Sequence, residues 1–187
     1  MVVRNVPSVG LLLALLGVVA VMPSIAKADS KDFPGGVPAV IQVSGDVAHP
    51  TTYTEAQLRA FTPAELYVWC LSMQGVIDAS YVGVLLWDLL TDAGVNLNPA
   101  NINDINRFYI RVIATNGFQV TLSLAEIAPR LGAQQALLAY EQNGAPLGEL
   151  GFARLVMPGD KWCGRSAFNV AKILVLSFEP LGRFATE

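Results

Sequence analysis

The sequence of 187 residues has few of the side chains that self-contained enzymes use for catalysis. His49 is the only histidine, which excludes clustered histidine metal sites and the helical zinc motif with two histidines. It precedes Pro50 and is expected to be an exposed turn residue rather than a catalytic base. The glycine-rich phosphate-binding motifs of nucleotide-binding proteins are also absent. If the chain is an enzyme, its chemistry must therefore come from an imported cofactor.

Charge is also scarce. Charged residues make up 14% of the sequence, with 12 Lys and Arg against 15 Asp and Glu, giving a net charge of −3. Nothing here supplies a basic face for phosphate contacts, so we expect no nucleic-acid partner. The hydrophobic fraction of 53% and the mean hydropathy of +0.47 exclude a disordered chain, and the length favours one domain.

The hydrophobic excess is concentrated at the N-terminus. Residues 11–22 are apolar, Arg4 precedes them, and the small-x-small pattern Ala26-Lys27-Ala28 follows, which is typical of a secretory signal peptide. The run is too short for a membrane-spanning helix of about 20 residues, although an uncleaved anchor is the alternative. We predict that residues 1–28 are a signal peptide and that the protein is exported, to the periplasm or as a secreted protein. No stable membrane span is expected after cleavage.

The rest of the chain is predicted to be one α+β domain. Residues 29–38 are polar and turn-rich and are interpreted as a flexible arm, residues 39–180 as the folded domain, and residues 181–187 as a C-terminal tail. Short helices are expected to begin near residues 54, 85 and 123. Strands are predicted over 39–44, 65–72, 108–115, 118–122, 136–141, 155–157 and 172–178. This order shows no regular β-α-β alternation, which favours a compact, mixed β-rich domain with short helices.

Local signals support several of these elements. Gly94 is a natural terminator for the second helix. Asn116-Gly117 is the strongest short hairpin signal in the chain. Thr54 with Gln57, and Ser123 with Glu126, have the spacing of capping boxes. In the strand over 65–72, alternation places Cys70 on a face with apolar neighbours and puts Tyr67, Trp69 and Leu71 on the other face.

The chain contains two cysteines, Cys70 and Cys163. In an oxidising compartment an even number of cysteines suggests a disulfide, and with only two the pairing is unambiguous if they pair. An unpaired Cys70 thiol is the alternative. Both alternatives remain open at this point.

The stretch 158–166 is a turn-rich loop that carries two cations, an indole and a thiol. Its backbone amides near the glycines, together with Lys161 and Arg165, could hold a phosphate or another small anion. From the residues alone, a surface loop with solvated charges is the favoured interpretation.

Several segments, in order along the chain, resemble the sulfite-oxidase-type oxidoreductase molybdopterin-binding domain. The resemblance is to a small stand-alone, exported member and covers most of the chain after residue 44. It rests on residues 45–50, 54–59, 83–90, 93–95, 110–112, 116–118, 122–126, 139–147 and 154–161.

The resemblance implies an oxidoreductase-like domain that binds a molybdopterin-type cofactor for oxygen-atom or electron transfer. Cys70 is then the candidate catalytic residue and molybdenum ligand. The loop residues implied to contact the pterin and its phosphate are Lys161, Trp162, Gly164, Arg165 and Ser166. The alternative is a cofactor-free periplasmic binding or structural module with the same fold, stapled by a Cys70–Cys163 disulfide. The sequence names no substrate, redox partner or oligomeric state.

Overall fold

A computed structural model describes residues 36–178 of the chain. The predicted signal peptide (1–28), most of the predicted arm (29–38) and the predicted tail (181–187) lie outside the described residues. Among residues 36–178, no helix has the length and hydrophobicity needed to cross a membrane.

Two five-stranded sheets form the framework. In the first sheet, β1 pairs in parallel with β10 and the other neighbours are antiparallel. Its strands, in spatial order, are β2 (Thr51–Tyr53), β1 (Ile41–Gly45), β10 (Val170–Ser177), β5 (Phe108–Ala114) and β6 (Gln119–Ser123).

The second sheet is antiparallel throughout. Its first three strands in spatial order are β3, β4 and β7, and β7 then pairs with both β8 and β9. The strand bounds are β3 (Ala64–Ser72), β4 (Gly75–Leu85), β7 (Leu137–Gln142), β8 (Ala145–Pro146) and β9 (Arg154–Val156). A bulge between Val82 and Gly83 shifts the pairing of β4 with β7.

Three short α-helices connect these strands within residues 36–178. They are α1 (Glu55–Arg59), α2 (Leu86–Ala93) and α3 (Leu124–Ile127). Short 3₁₀ turns lie at Asp104–Arg107, Gly148–Leu150 and Cys163–Arg165. The β-rich α+β architecture predicted from the sequence is confirmed.

The main core contains buried side chains from both sheets and from all three helices. In the second sheet, successive side chains alternate between this core and the opposite face of the sheet. Val84, Leu138 and Leu155 pack into it, whereas a second cluster lies on the opposite face. The buried members of that second cluster are Val68, Cys70, Ala79, Tyr81, Leu137, Ala139 and Val156.

Several local predictions are confirmed by the contacts. The Thr54 hydroxyl accepts from the Gln57 amide while the Gln57 side chain accepts from the Thr54 amide, which completes the first capping box. Gly94 ends α2 in the left-handed region with φ +69°. Asn116 and Gly117 form the turn between β5 and β6, with Gly117 at φ +84°.

The second capping box is wrong. Helix α3 follows Ser123 as expected, but the Ser123 side chain makes no capping hydrogen bond. The Glu126 carboxylate instead accepts a hydrogen bond from Arg165. Strand β4 was not predicted at all, although its 11 residues form the centre of the second sheet.

Candidate functional site

The candidate site lies where β3 meets the loop that follows β9. Cys70 is placed on β3 opposite Ile77, and its side chain is only 2% exposed among apolar neighbours. Cys163 begins the 3₁₀ turn of the loop. The two cysteines form a disulfide with their Cα atoms 5.5 Å apart, so both sulfur atoms are bonded.

A backbone contact joins the same two segments beside the disulfide. The Leu71 amide donates to the Lys161 carbonyl at 2.9 Å, and Leu71 pairs with Trp162 as an isolated parallel bridge. The loop is thus attached to the edge of β3 by one covalent bond and one hydrogen bond. The indole of Trp162 remains 60% exposed.

Arg165 points to carboxylates. Its guanidinium donates to both carboxylate oxygens of Asp160, at 2.6 and 2.9 Å, and to Glu126 at 2.8 Å. These hydrogen bonds, Asp160 first, raise the pKa of Arg165 above its ordinary value. Arg165, which was expected to contact a bound anion, is therefore already paired with two carboxylates of the protein.

The other predicted loop residues lie at the surface. Lys161 and Gly164 are exposed, and Ser166 is half-buried, with its amide bonded to the Cys163 carbonyl at 3.0 Å. His49 is exposed, as its turn position predicted. The structure brings the predicted loop residues and Cys70 into one region.

Arg154 is a charged residue that sequence reasoning missed. It lies on β9, is 3% exposed, and donates to the Tyr81 hydroxyl at 2.9 Å. Its guanidinium lies over the rings of Tyr81 and Phe168, while its Nε atom has no hydrogen-bond partner among the described residues. Burial lowers the pKa of Arg154, and the neighbouring Tyr81 opposes that shift. An arginine inside the apolar run Ala153 to Met157 was the available signal.

A separate cleft of about 270 Å³ lies beside α2. Trp87, Asp88 and Gln134 contribute to its walls, and no residue of the predicted site lines it. The cleft is therefore distinct from the region around Cys70.

Comparison with known proteins assigns the family. The profile of the oxidoreductase molybdopterin binding domain matches residues 38–183, which is most of the chain. The chain belongs to the oxidoreductase molybdopterin-binding domain family. The family expected from the sequence is thereby confirmed, and no curated protein matches the chain.

A solved structure shares the fold of this family member. It is the sulfane dehydrogenase SoxCD from Paracoccus pantotrophus, with a TM-score of 0.61 and 20% sequence identity. The alignment covers 87% of this chain but 42% of the other, so the chain spans less than half the length of that protein. At this identity the likeness shows the fold alone.

The donor set of this family member does not fit a thiolate-coordinated molybdenum in the disulfide-bonded state. A soft metal of this kind is bound by a deprotonated thiol, and a sulfur atom in a disulfide offers no thiolate. Among residues 36–178, no group of three or more His, Cys, Asp or Glu side chains could hold a metal ion. The pairing of Arg165 with Asp160 and Glu126 also leaves little positive charge for a pterin phosphate.

Proposed function

We propose that this chain is a cofactor-free, disulfide-stapled binding module built on the molybdopterin-binding fold. The Cys70–Cys163 disulfide is the observation that carries the proposal. It occupies the sulfur atom that the family resemblance assigns to the metal, and it attaches the predicted cofactor loop directly to β3. In the disulfide-bonded state Cys70 has no free thiolate, and β3 and the loop are covalently joined.

The charges in the loop support the same proposal. Arg165 already faces Asp160 and Glu126, so a phosphate entering there would meet two carboxylates. Lys161, in the same loop, is exposed. We therefore infer that a small anion or a pterin is a poor ligand for this loop and that a larger partner is better suited to the module.

Export to the periplasm or secretion is part of the proposal. Disulfides persist in oxidising compartments and are rare in the reducing cytosol. The apolar run at residues 11–22 and the cleavage pattern ending at Ala28 support passage to such a compartment. An exported domain with one disulfide is consistent with both features.

A second candidate function is an oxidoreductase that binds the molybdopterin cofactor in its reduced form. The family match favours it, and the sequence resemblance implies Cys70 as the molybdenum ligand. Reduction of the disulfide by a dithiol would be required first, since it converts the bridge into two thiols with two electrons and two protons.

The deciding experiment measures molybdenum and pterin in protein purified from its exported location, with Cys70→Ala and Cys163→Ala as matched variants. The proposal predicts no stoichiometric molybdenum and no pterin fluorescence after acid oxidation in wild type. Stoichiometric molybdenum in wild type, retained in Cys163→Ala and lost in Cys70→Ala, would contradict it and support the second candidate. Thiol titration in denaturant should find no free thiol in wild type.

A further inference from the structure

The outer half of the β3–β4 hairpin presents an unusual concentration of exposed apolar side chains. Tyr67 is 63% exposed, Trp69 51%, Val76 56% and Trp162 60%. We call these four residues, with Leu71, the hairpin face. Large exposed apolar patches rimmed by polar residues mark protein–protein interaction sites. Tyrosine and tryptophan are also the residues that most often anchor interfaces.

The register of the strands places these side chains on one side of the sheet. Tyr67, Trp69 and Leu71 alternate along β3, and Val76 lies directly opposite Leu71 on β4. Trp162 pairs with Leu71 from the other side, so its indole joins the same surface. The intervening residues Val68 and Cys70 point to the opposite face and are buried.

The hairpin face lies beyond the main core. Farther along the same side of β4, Val82 and Val84 pack against that core. The bulk of Tyr67 and Trp69 therefore adds nothing to the packing between the two sheets. A role outside the folding of the domain explains why large aromatic residues are present there.

The edge of β3 is open next to this face. Across residues 64–70, β4 is the only described strand that pairs with β3, and the loop contributes a contact at Leu71. Because the Leu71 amide points to the open edge, alternation directs the amides of Glu65, Tyr67 and Trp69 the same way. Such an edge can accept an extended segment as an added strand.

Charge indicates which kind of segment would fit. Strands β3 and β4 contain Glu65 and Asp78 and no lysine, arginine or histidine. Asp78 lies opposite Trp69 and accepts a hydrogen bond from the Tyr67 hydroxyl at 2.6 Å. Carboxylates beside exposed aromatic rings favour cationic side chains, through ion pairing and cation–π contacts.

We infer that the hairpin face docks an extended, arginine- or lysine-bearing segment of a partner protein, added as a strand to the open edge of β3. This inference deepens the proposed function, on which it rests, by naming the binding face and the class of partner. The disulfide contributes directly, because Cys163 follows Trp162 in the chain and holds the indole beside β3.

The test uses the full chain with its disulfide intact and two synthetic octapeptides. One alternates arginine with threonine and the other alternates glutamate with threonine. Binding is measured by tryptophan fluorescence and calorimetry, and edge pairing by amide hydrogen exchange. We expect the arginine peptide to bind, to weaken severalfold when salt rises from 50 to 200 mM, and to protect the amides of Glu65, Tyr67 and Trp69.

Two variants and one control sharpen the result. Trp69→Ala should weaken binding about tenfold or more, and Asp78→Asn should weaken it while reducing the salt dependence. Phe118→Ala removes a comparably exposed aromatic side chain, 43% exposed, from the turn between β5 and β6 and should bind as wild type does. All three positions are at the surface, and circular dichroism confirms that each variant is folded.

Equal binding of both peptides, no binding, or equal loss in Phe118→Ala would overturn the inference. So would a wild-type dimer in sedimentation velocity that Trp69→Ala dissociates, since a second copy would then occupy the face. Binding to phosphatidylcholine vesicles in place of the peptide would equally overturn it. Molybdenum is measured in the same preparation. If the peptide binds and molybdenum is stoichiometric, only the cofactor-free proposal is refuted. If the peptide does not bind and molybdenum is absent, only this inference is refuted.

Discussion

Breaking the Cys70–Cys163 disulfide should cost this domain a large part of its stability. The two residues are 93 positions apart in the chain, and their Cα atoms are 5.5 Å apart in the folded protein. On the chain-entropy model, releasing a loop of about this length returns entropy to the unfolded state worth about 4–5 kcal/mol at 25 °C. For a domain of this size, that corresponds to a fall of roughly 10–15 °C in Tm.

The choice of substitution matters because Cys70 is buried in the second apolar cluster. Serine would place a hydroxyl among Val68 and Ala79 and would add the cost of an unsatisfied polar group. Alanine at both positions keeps the surroundings apolar, so Cys70→Ala with Cys163→Ala isolates the loss of the bridge with the least additional perturbation.

The assay is urea unfolding followed by circular dichroism, with and without dithiothreitol. Wild type should lose about 4–5 kcal/mol when reduced, and the double alanine variant should match the reduced protein. The double variant is also the control for the reductant, which should not change its midpoint. Thiol titration before and after reduction shows that the bond has been broken.

Two results would refute this reasoning. Identical urea midpoints for oxidised and fully reduced wild type would show that the bridge contributes nothing to stability. Two free thiols in the denatured, unreduced protein would show that the bridge does not form at all.

Three further perturbations test individual contacts. Tyr81→Phe removes the hydroxyl that pairs with the buried Arg154, and it should lower the free energy of unfolding in urea by about 1–3 kcal/mol. In an Arg154→Met background the same substitution should lower it much less. An equal cost in both backgrounds would contradict the pairing. Arg165→Gln should cost about 1 kcal/mol or less, because the side chain is 36% exposed, and the cost should shrink in high salt. Hydrogen bonds from the Arg107 guanidinium and the Asn98 amide hold the pKa of Asp104 below its ordinary 3.8. The ionised Asp104 carboxylate therefore stabilises the fold fully above pH 3.8, and this stabilisation is lost as the pH falls through the lower pKa of the folded state. Asp104→Asn should flatten this part of the acid unfolding curve, and an unchanged curve would contradict the assignment.

Sequence patterns predicted the elements whose burial repeats with a simple period. Strand β3 alternates between exposed Tyr67 and Trp69 and buried Val68 and Cys70, so both its existence and its faces could be inferred. Strand β4 escaped prediction because its neighbours change along its length. Its first residues belong to the exposed hairpin, whereas Val84 enters the main core after the bulge at Gly83.

The site was harder to predict because its contacts join distant parts of the chain. Arg165 meets Glu126 across 39 positions, and Arg154 meets Tyr81 across 73. The sequence does not show which carboxylates pair with Arg165, so this loop arginine could be interpreted as an available anion contact. The sequence likewise could not decide whether the two cysteines lie close enough to pair.

The disulfide makes the two candidate roles of Cys70 mutually exclusive. Its sulfur atom cannot be both half of a bridge and a metal-binding thiolate. The bond that removes the thiolate also holds the loop, and with it Trp162, against the edge of β3. Oxidation therefore completes the proposed docking face at the same moment as it closes the predicted metal site. Reduction has the opposite effect, because it frees the Cys70 thiol and removes the covalent bond that holds the loop to β3, while the Leu71–Lys161 hydrogen bond between the two segments remains. On these two proposals, the redox state of the compartment selects between the docking face and the metal-binding thiolate.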